Sequence, residues 1–245
     1  MSTTISNDMN DRLALWSENF AKTLGNSLQS LVLYGGLAKG EFVPGQSDVN
    51  VLIVFRTVTI EVLDRAAPLV RQGALEFRLA AMLATEADLR DLADVFPIKF
   101  QDMQRRHKVL WGEDPFPKVN VPREHLRLRC EQELHNLSLR LRQSYIQRTD
   151  RPELLQAALS RAVSSLLVNL GVLFELKTGK PSENKQDALA NAAQLGISQE
   201  PLQQAWALKR GEFKPDSDGL RKLFASFMNV VQQAADLAGK PFEVL

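Results

Sequence analysis

The sequence predicts an α+β protein, in which a mixed sheet with flanking helices is followed by an all-helical bundle. In the first half, the short apolar runs 31–34 and 51–55 are bounded by glycine and polar residues, which is typical of buried strands. In the second half, apolar residues recur at steps of three and four over long stretches, which is typical of helices with one buried face. The first half therefore mixes strands and helices, and the second half is all helix.

Prolines mark the point where the character of the sequence changes. Pro115, Pro117 and Pro122 lie close together, and the long helical stripes begin directly after them. With 245 residues, the chain is long enough for one large domain or two ordinary ones, at roughly 150 residues per domain. We therefore predict a sheet domain over 1–118 and a helical bundle domain over 119–245.

Local patterns predict the individual elements. Leu13, Phe20 and Leu24 stand at helical spacing, so a first helix is expected to end near Gly25. The other elements expected in the first half are strands at 31–34 and 51–55, a helix around 63–70 that Pro68 shortens or bends, a strand at 77–84, a helix from Thr85 to about Ala93, a strand at 96–103 and a turn of helix within 104–117. Those expected in the second half are a helix over 126–145, one from Pro152 to Thr178 with its N-cap at Asp150, one from Pro181, one from Ser198, and one from 216–218 to Gly239.

Charge and cysteine content exclude several classes of function. The chain has 30 Lys and Arg residues against 29 Asp and Glu residues, which gives a net charge of +1. This charge argues against binding to nucleic acid or membrane through overall positive charge. Cys130 is the only cysteine, so no disulfide can form within one chain, and burial is its expected role. No secretory signal pattern is present, and no apolar run reaches the roughly 18 residues that span a bilayer. We expect a cytoplasmic protein without a membrane partner.

The stretch LVLYGGLAKGEFVPGQSDVNVLIVF, residues 31–55, carries the candidate site. A strand followed by Gly35-Gly36 can form a turn whose backbone N–H groups approach a phosphate, although a tight turn without a ligand has the same pattern. The second part of the loop favours a ligand, because Asp48 and Asn50 are two residues apart and project from one face of a strand. Side-chain oxygens placed beside a phosphate-binding turn suit metal-assisted phosphoryl transfer.

These residues resemble a known signature. Gly35-Gly36-Leu37-Ala38-Lys39-Gly40, followed by Ser47-Asp48-Val49-Asn50-Val51-Leu52, resembles that of the nucleotidyltransferase superfamily of the polymerase beta type, which reads Gly-Ser-x-Ala-Arg-Gly, a short loop, then Ser-Asp-x-Asp and an apolar strand. The stretch FPIKFQDMQRRHKVLWGEDP is similar to the downstream strand and exit of bacterial members. The helical half is similar to aminoglycoside nucleotidyltransferases and to helical domains of the HEPN kind. The motif resemblance covers residues 10–118.

The resemblance implies an activity and a site. The activity is transfer of a nucleoside monophosphate from a nucleoside triphosphate (NTP) to a hydroxyl of a small molecule or protein, with Mg²⁺ as the cofactor. The residues implied in phosphate and nucleotide binding are Gly35, Gly36, Lys39 and Ser47. Lys99 is a further candidate for phosphate binding, although it does not match the family pattern. The residues implied in catalysis and metal binding are Asp48 and Asn50, with Asp102 as a weaker metal ligand. The acceptor is not identified, and the site is expected in the cleft between the two domains.

Three positions depart from the family pattern. Gly36 stands in place of a serine, Asn50 in place of the second aspartate, and Lys99 in place of an acid on the predicted strand. An amide oxygen can coordinate a hard cation but adds no negative charge. A lysine ammonium about 4 Å from a metal ion repels each unit of its charge by roughly 4 kcal/mol at an effective dielectric constant near 20. Lys99 and a metal ion are therefore not expected to share one site.

Lys99 leaves three interpretations open. Its side chain points elsewhere, or the site has lost its metal chemistry, or Lys99 itself supplies the positive charge that binds an NTP phosphate. On an alternating strand, Gln101 would share the face of Lys99, and Asp102 would point to the other face. Taken together, the departures favour a weakened or lost transferase.

The segment after the prolines is rich in arginine. One interpretation is a solvated helix face whose charges pair with Glu124, Glu131 and Glu133. The other is a basic wall that faces a nucleotide or an acidic substrate. The arginines are Arg123, Arg127, Arg129, Arg140, Arg142 and Arg148.

Three functions follow from the sequence. The first is an NTP-binding protein of the nucleotidyltransferase type, whose transfer activity is retained, weakened or lost. The second is a non-catalytic nucleotide-sensing or partner-docking protein, a pseudoenzyme on the same fold. The third is a toxin–antitoxin component, because of the kinship with HEPN-associated transferases. Whether the chain is an enzyme stays open at this point.

Overall fold

The computed structural model describes residues 2–40, 42 and 47–240, and the chain divides into two compact units, Met1–Pro122 and Arg123–Leu245. The α+β class predicted from the sequence is confirmed. The strands are β1 (Leu28–Tyr34), β2 (Val49–Phe55), β3 (Leu79–Thr85) and β4 (His107–Gly112). The helices are α1 (Ser2–Leu24), α2 (Ile60–Phe77), α3 (Glu86–Val95), α4 (Pro97–Arg105), α5 (Arg123–Arg148), α6 (Pro152–Thr178), α7 (Lys185–Asn191), α8 (Gln199–Arg210) and α9 (Ser217–Ala238).

The first unit is built on a mixed sheet whose strands, among the described residues, stand in the order β3-β2-β1-β4. β1 pairs antiparallel with β2 and with β4, and β2 pairs parallel with β3. Alternate side chains of each strand point to opposite faces, and helices cover both faces. α1 and α2 pack on one face through residues such as Phe20 and Leu69, and α3 and α4 pack on the other through Leu89 and Phe100. Because both faces are covered, β1 and β2 are almost continuously apolar.

The prediction of a strand over 96–103 was wrong. The segment Pro97–Arg105 is helix α4, and its buried residues are Pro97, Phe100 and Met103. Their three-residue spacing lies along one face of a helix, and a proline in the first turn removes no helical hydrogen bond. In a stretch this short, alternating and helical apolar patterns overlap, so the pattern by itself does not decide between them.

The prediction of a turn of helix within 104–117 was also wrong. His107–Gly112 forms β4, which lies at the edge of the sheet and, within the described residues, pairs with β1 alone. Its residues are exposed or half-buried. The strand therefore lacks the apolar run that marks a buried strand, and its pairing partner lies more than seventy residues away in the sequence.

Helix α2 continues through Pro68, although the sequence predicts that this proline shortens or bends it. Proline lacks the N–H group that would bond to the carbonyl of residue 64, so one helical hydrogen bond is lost. The helix is held on the sheet by its buried residues, which include Val62 and Ala66. In addition, the indole N–H of Trp16 donates to the carbonyl of Leu69 at 2.9 Å, which ties α1 to α2.

The helix starts test the capping predictions. The start at Thr85 is confirmed, because its hydroxyl accepts from the N–H of Asp88 while the Asp88 carboxylate accepts from the N–H of Thr85. The N-cap expected at Asp150 is instead Arg151, which makes no side-chain cap bond. The helix expected from Pro181 begins later, at Lys185, after an asparagine cap at residue 184.

Helix α6 is the central helix of the second unit and packs against α5, α7, α8 and α9. By length and composition it could cross a membrane, so the expectation that no apolar segment is long enough was wrong. However, 61% of its most apolar window is buried within the protein, as in the core helix of a bundle. On α5, Cys130 is buried as predicted, and this burial raises the pKa of its thiol.

Candidate functional site

The turn after β1 depends on a glycine at position 35. Gly35 has a φ of 75°, which lies in the left-handed region, and its carbonyl accepts a hydrogen bond from the N–H of Lys39 at 3.1 Å. A Cβ atom at this position would lie 3.0 Å from Nδ2 of Asn50. The backbone conformation therefore favours glycine, and a larger residue would also crowd the Asn50 amide. The turn includes Gly36, and Ser47 follows a segment outside the described residues.

Asn50 lies near the start of β2, beside the last residue of β1. It is the register partner of Tyr34 on β1 and of Ala80 on β3. Tyr34 belongs to the cluster under α3 and α4, so Asn50, as its direct partner, projects towards the same face. Asp48 precedes β2, and its backbone carbonyl accepts from Nδ2 of Asn50 at 3.3 Å. The amide of Asn50 is thus directed towards the loop that carries Asp48.

Lys99 lies on α4 and reaches the same region. Its Nζ is 5.2 Å from the ring centroid of Tyr34, a cation–π contact. The interpretation in which Lys99 points away from the loop is therefore not supported. Partial desolvation lowers the pKa of Lys99, and burial raises the pKa of Tyr34. Among the described residues, no carboxylate forms an ion pair with Lys99.

Lys39 connects the turn to α4 through an ion pair. Its Nζ lies 2.6 Å from Oδ1 of Asp102, and the two side chains are 20% and 45% exposed. The expectation that Asp102 and Lys99 point to opposite faces was wrong, because both lie on a helix, where residues three apart are neighbours. Asp102 therefore neutralises Lys39 close to Lys99.

Arg78 holds the carboxylate of Asp48. Its Nε and Nη2 lie 3.0 and 2.8 Å from Oδ1 of Asp48. Arg78 is the C-cap of α2 and adopts φ 57° and ψ 44°, a left-handed conformation that glycine usually occupies. Its carbonyl also accepts from the N–H of Val49 at 3.1 Å, so one residue joins the end of α2 to the start of β2.

The sequence analysis did not identify Arg78, because no sequence motif indicates a role for it. The residue follows a helix whose end carries no glycine. Its contact with Asp48 spans thirty positions. Only the parallel pairing of β2 with β3 brings the two together, because Val49 and Leu79 are register partners.

The charged residues of this region do not fit a pair of Mg²⁺ ions. We call Lys39, Asp48, Arg78, Lys99 and Asp102 the strand-edge cluster. Mg²⁺ requires nearly octahedral oxygen ligands, but both carboxylates of the cluster are engaged by cations, and a third cation lies over Tyr34. Within the described residues, no group of three or more His, Cys, Asp and Glu side chains could hold a metal ion. With three cations and two carboxylates, the cluster suits an anion better than a divalent cation.

The arginine-rich helix α5 is partly neutralised by its own glutamates. Arg127 pairs with Glu124 at 2.8 Å and with Glu131 at 3.1 Å. Arg129 pairs with Glu133 at 2.6 Å. These contacts support the expected pairing with glutamates, but the face is not solvated, because the Arg127 and Arg129 side chains are only 16% and 29% exposed.

Comparison with known proteins supports the fold. No protein-family model matches the chain, and no curated protein matches its sequence. A crystal structure of a spectinomycin adenyltransferase from Enterococcus faecialis with ATP and spectinomycin matches with a TM-score of 0.56 and 13% identity. The match covers 90% of this chain and 98% of that chain. The chain therefore has an α+β fold with a nucleotidyltransferase-like mixed sheet and a C-terminal helical bundle.

Proposed function

We propose that this protein binds a nucleoside triphosphate at the strand-edge cluster and holds its phosphates with lysine and arginine side chains rather than with a pair of metal ions. Lys39 and Lys99 contact the phosphates, together with backbone N–H groups of the turn that begins at Gly35. Nucleotidyl transfer is weakened or lost in this arrangement. The protein then acts as a nucleotide-binding or nucleotide-sensing member of the fold.

The observation that carries the proposal is the position of Lys99. Its ammonium lies over Tyr34, one residue before Gly35, and no carboxylate among the described residues pairs with it. A lysine that is partly desolvated, and whose pKa is lowered for that reason, gains when a phosphate approaches, because the anion stabilises its charged form. In the families that the loop resembles, an acid at this position would help to hold a metal ion, and the metal ion would bind the phosphates.

Arg78 strengthens the proposal. It neutralises Asp48, the carboxylate that would be the principal metal ligand. Its guanidinium group places two N–H donors against one carboxylate oxygen of Asp48. Asp48 therefore adds little negative charge against which an incoming phosphate would be repelled.

The test is a calorimetric titration of ATP into the full-length protein, first with Mg²⁺ and then with EDTA. We expect ATP to bind in EDTA at least as tightly as with Mg²⁺, because the protein supplies the positive charge. Binding that requires Mg²⁺ would contradict the proposal and favour a working transferase. Failure to bind in both buffers would leave the fold without a nucleotide function.

A variant that restores the missing acids tests whether the same site can regain Mg²⁺ binding. Asn50→Asp combined with Lys99→Glu places two acids around Tyr34, and we expect Mg²⁺ affinity to rise by about tenfold or more. The control is Lys108→Glu on β4, which repeats the lysine-to-glutamate change at an exposed position outside the cluster. Equal Mg²⁺ binding by the double variant and the control would show that residue 99 does not belong to the site.

A second candidate function is transfer of a nucleoside monophosphate to a hydroxyl of a small molecule. It is favoured by the likeness to the spectinomycin adenyltransferase, which extends over 90% of this chain. It is also favoured by the exposure of the Asp48–Arg78 pair, whose side chains are 52% and 54% exposed. Such a pair contributes about 0–1 kcal/mol and can open to admit one metal ion. Pyrophosphate release from ATP and Mg²⁺ with spectinomycin or another polyhydroxylated acceptor would support this candidate.

A further inference from the structure

A groove between α5 and α6 in the second unit forms a cavity of about 540 Å³ that is independent of the strand-edge cluster. Pockets for small ligands usually have volumes of about 300 to 1,000 Å³, so the groove has the size of a small-molecule site. The lining residues are Leu137, Arg140, Leu141, Gln143, Ser144, Gln147, Arg148, Ala158, Arg161, Ala162 and Ser165.

The groove exists because small residues occupy the facing side of α6. Ala158, Ala162 and Ser165 follow helical spacing along α6, and they face a stripe of α5 that includes Leu137 and Leu141. The two alanines and two leucines are buried, so the floor of the groove is apolar. A long side chain at any of the three α6 positions would fill the space between the helices.

The rim of the groove is positively charged. It carries Arg140, Arg148 and Arg161, and no aspartate or glutamate belongs to the lining. Arg140 has a glutamate at 3.9 Å, Glu133, which lies outside the groove. Within the described part of the chain, neither Arg148 nor Arg161 has an ion-pair partner. They differ in this from Arg127 and Arg129 in the first half of α5, which pair with glutamates.

We infer that the groove binds a small organic anion, which places a phosphate or carboxylate group between the arginines and an apolar body on the leucine and alanine floor. Guanidinium groups present their N–H donors as a planar fork that matches both kinds of anion. Gln143, Ser144 and Gln147 on the same rim add neutral donors and acceptors that can orient the ligand. The apolar floor favours a ligand with a ring or a short hydrocarbon part over a bare inorganic ion.

The experiment uses 1-naphthyl phosphate, which combines a phosphate with an apolar ring system, titrated into the full-length protein by calorimetry. Three further titrations separate the contributions: 1-naphthoate carries a carboxylate, 1-naphthol has the ring without the anion, and inorganic phosphate has the anion without the ring. We expect one saturable site for 1-naphthyl phosphate or 1-naphthoate, and binding at least about tenfold weaker for 1-naphthol and for inorganic phosphate.

The variant Arg140→Gln with Arg161→Gln identifies the site. We expect it to weaken binding of the aromatic anion by about tenfold or more, because each charge-assisted hydrogen bond contributes to affinity. The control Arg142→Gln removes an exposed arginine of the same helix that does not line the groove, and it should leave the affinity unchanged. A circular dichroism melt of both variants verifies that they are folded.

Three results would overturn the inference. One is the absence of saturable binding of either aromatic anion at millimolar concentration. A second is binding that the Arg140→Gln, Arg161→Gln variant leaves intact while Lys99→Gln abolishes it, which would assign the ligand to the strand-edge cluster. Retention on an acidic peptide or RNA matrix without binding of the small anions would also overturn it, in favour of a macromolecular partner.

Discussion

The cations of the strand-edge cluster and those of the α5–α6 groove are arranged in opposite ways. In the cluster, Lys39 is paired with Asp102 and Arg78 with Asp48, at 2.6 and 2.8 Å. In the groove, three arginines stand together without a carboxylate in the lining. In the cluster, two of the three cations are paired with carboxylates and, among the described residues, one lysine is not. In the groove, no carboxylate of the lining pairs with the arginines.

This difference bears on what each place can bind. A ligand at the cluster has to share or displace existing ion pairs, so it needs several negative charges, as a triphosphate has. A ligand in the groove can pair with Arg148 or Arg161 without displacing an existing ion pair, so a single anionic group is enough. The two places are therefore expected to select anions of different charge.

The largest effect is expected from removing both lysines of the cluster. Lys39→Gln with Lys99→Gln should weaken ATP binding in EDTA by about 100-fold, or about 3 kcal/mol, because two charge-assisted hydrogen bonds are lost and Asp102 is left unpaired. The measurement is the calorimetric titration described above. Lys108→Gln is the control for the loss of one exposed lysine charge, and an affinity within about threefold of the parent in the double variant would refute the assignment.

The next largest effect is expected from adding a carboxylate to the groove, so that its arginines are paired as the cations of the cluster are. Ser144→Glu adds a carboxylate four residues from both Arg140 and Arg148, and it should weaken binding of 1-naphthyl phosphate by about tenfold. Ser144→Gln adds similar bulk without charge and should change the affinity much less. Equal loss in both variants would mean that bulk, and not charge pairing, controls the groove.

A smaller effect concerns the stability of the cluster. Arg78→Gly removes an exposed ion pair of about 0–1 kcal/mol but relieves a left-handed conformation that costs a non-glycine residue about 1 kcal/mol or more. We expect the free energy of unfolding in urea to rise by about 0.5 kcal/mol. The same substitution at Arg71, an exposed position inside α2, should lower it by about 1 kcal/mol. If both variants lose stability equally, Arg78 is not strained.

The smallest effect is a pH dependence of ATP binding. Because desolvation lowers the pKa of Lys99 below its usual 10.5, this ammonium loses its proton earlier than an ordinary lysine as the pH rises. ATP affinity should therefore already fall as the pH rises towards 10.5, by less than about tenfold, the limit set by losing one charged contact. Lys99→Arg, which stays protonated, should remove this part of the dependence. An identical profile in that variant would show that Lys99 does not contact the phosphates.

Much of the first unit could be predicted because its signals are local. β1 and β2 are recognised by continuous apolar runs, since buried strands need apolar side chains on both faces. The start of α3 follows from the reciprocal cap of Thr85 and Asp88, which involves only neighbouring residues. The glycine at position 35 and the Asp48 loop could be named for the same reason.

The errors lie where the decisive contact is distant in sequence. Residues 96–103 carry a pattern that fits a strand or a helix, and packing of Phe100 and Met103 against the sheet selects the helix. β4 shows little apolar character because it is an edge strand, and its pairing with β1 is what makes it a strand. The pair Asp48–Arg78 joins two residues that no local pattern relates.

By itself, then, the sequence determined the α+β class, the division between a sheet part and a helical part, and the stretch in which Asp48 and Asn50 lead into β2. These depend on periodicity and turn residues, which act over a few positions. The tertiary structure alone decided that Lys99 lies over Tyr34, that Arg78 neutralises Asp48, and that small residues of α6 open a groove beneath the arginines of α5. Those features depend on which elements pack together, because side chains distant in the sequence share charge and space only after the fold has formed.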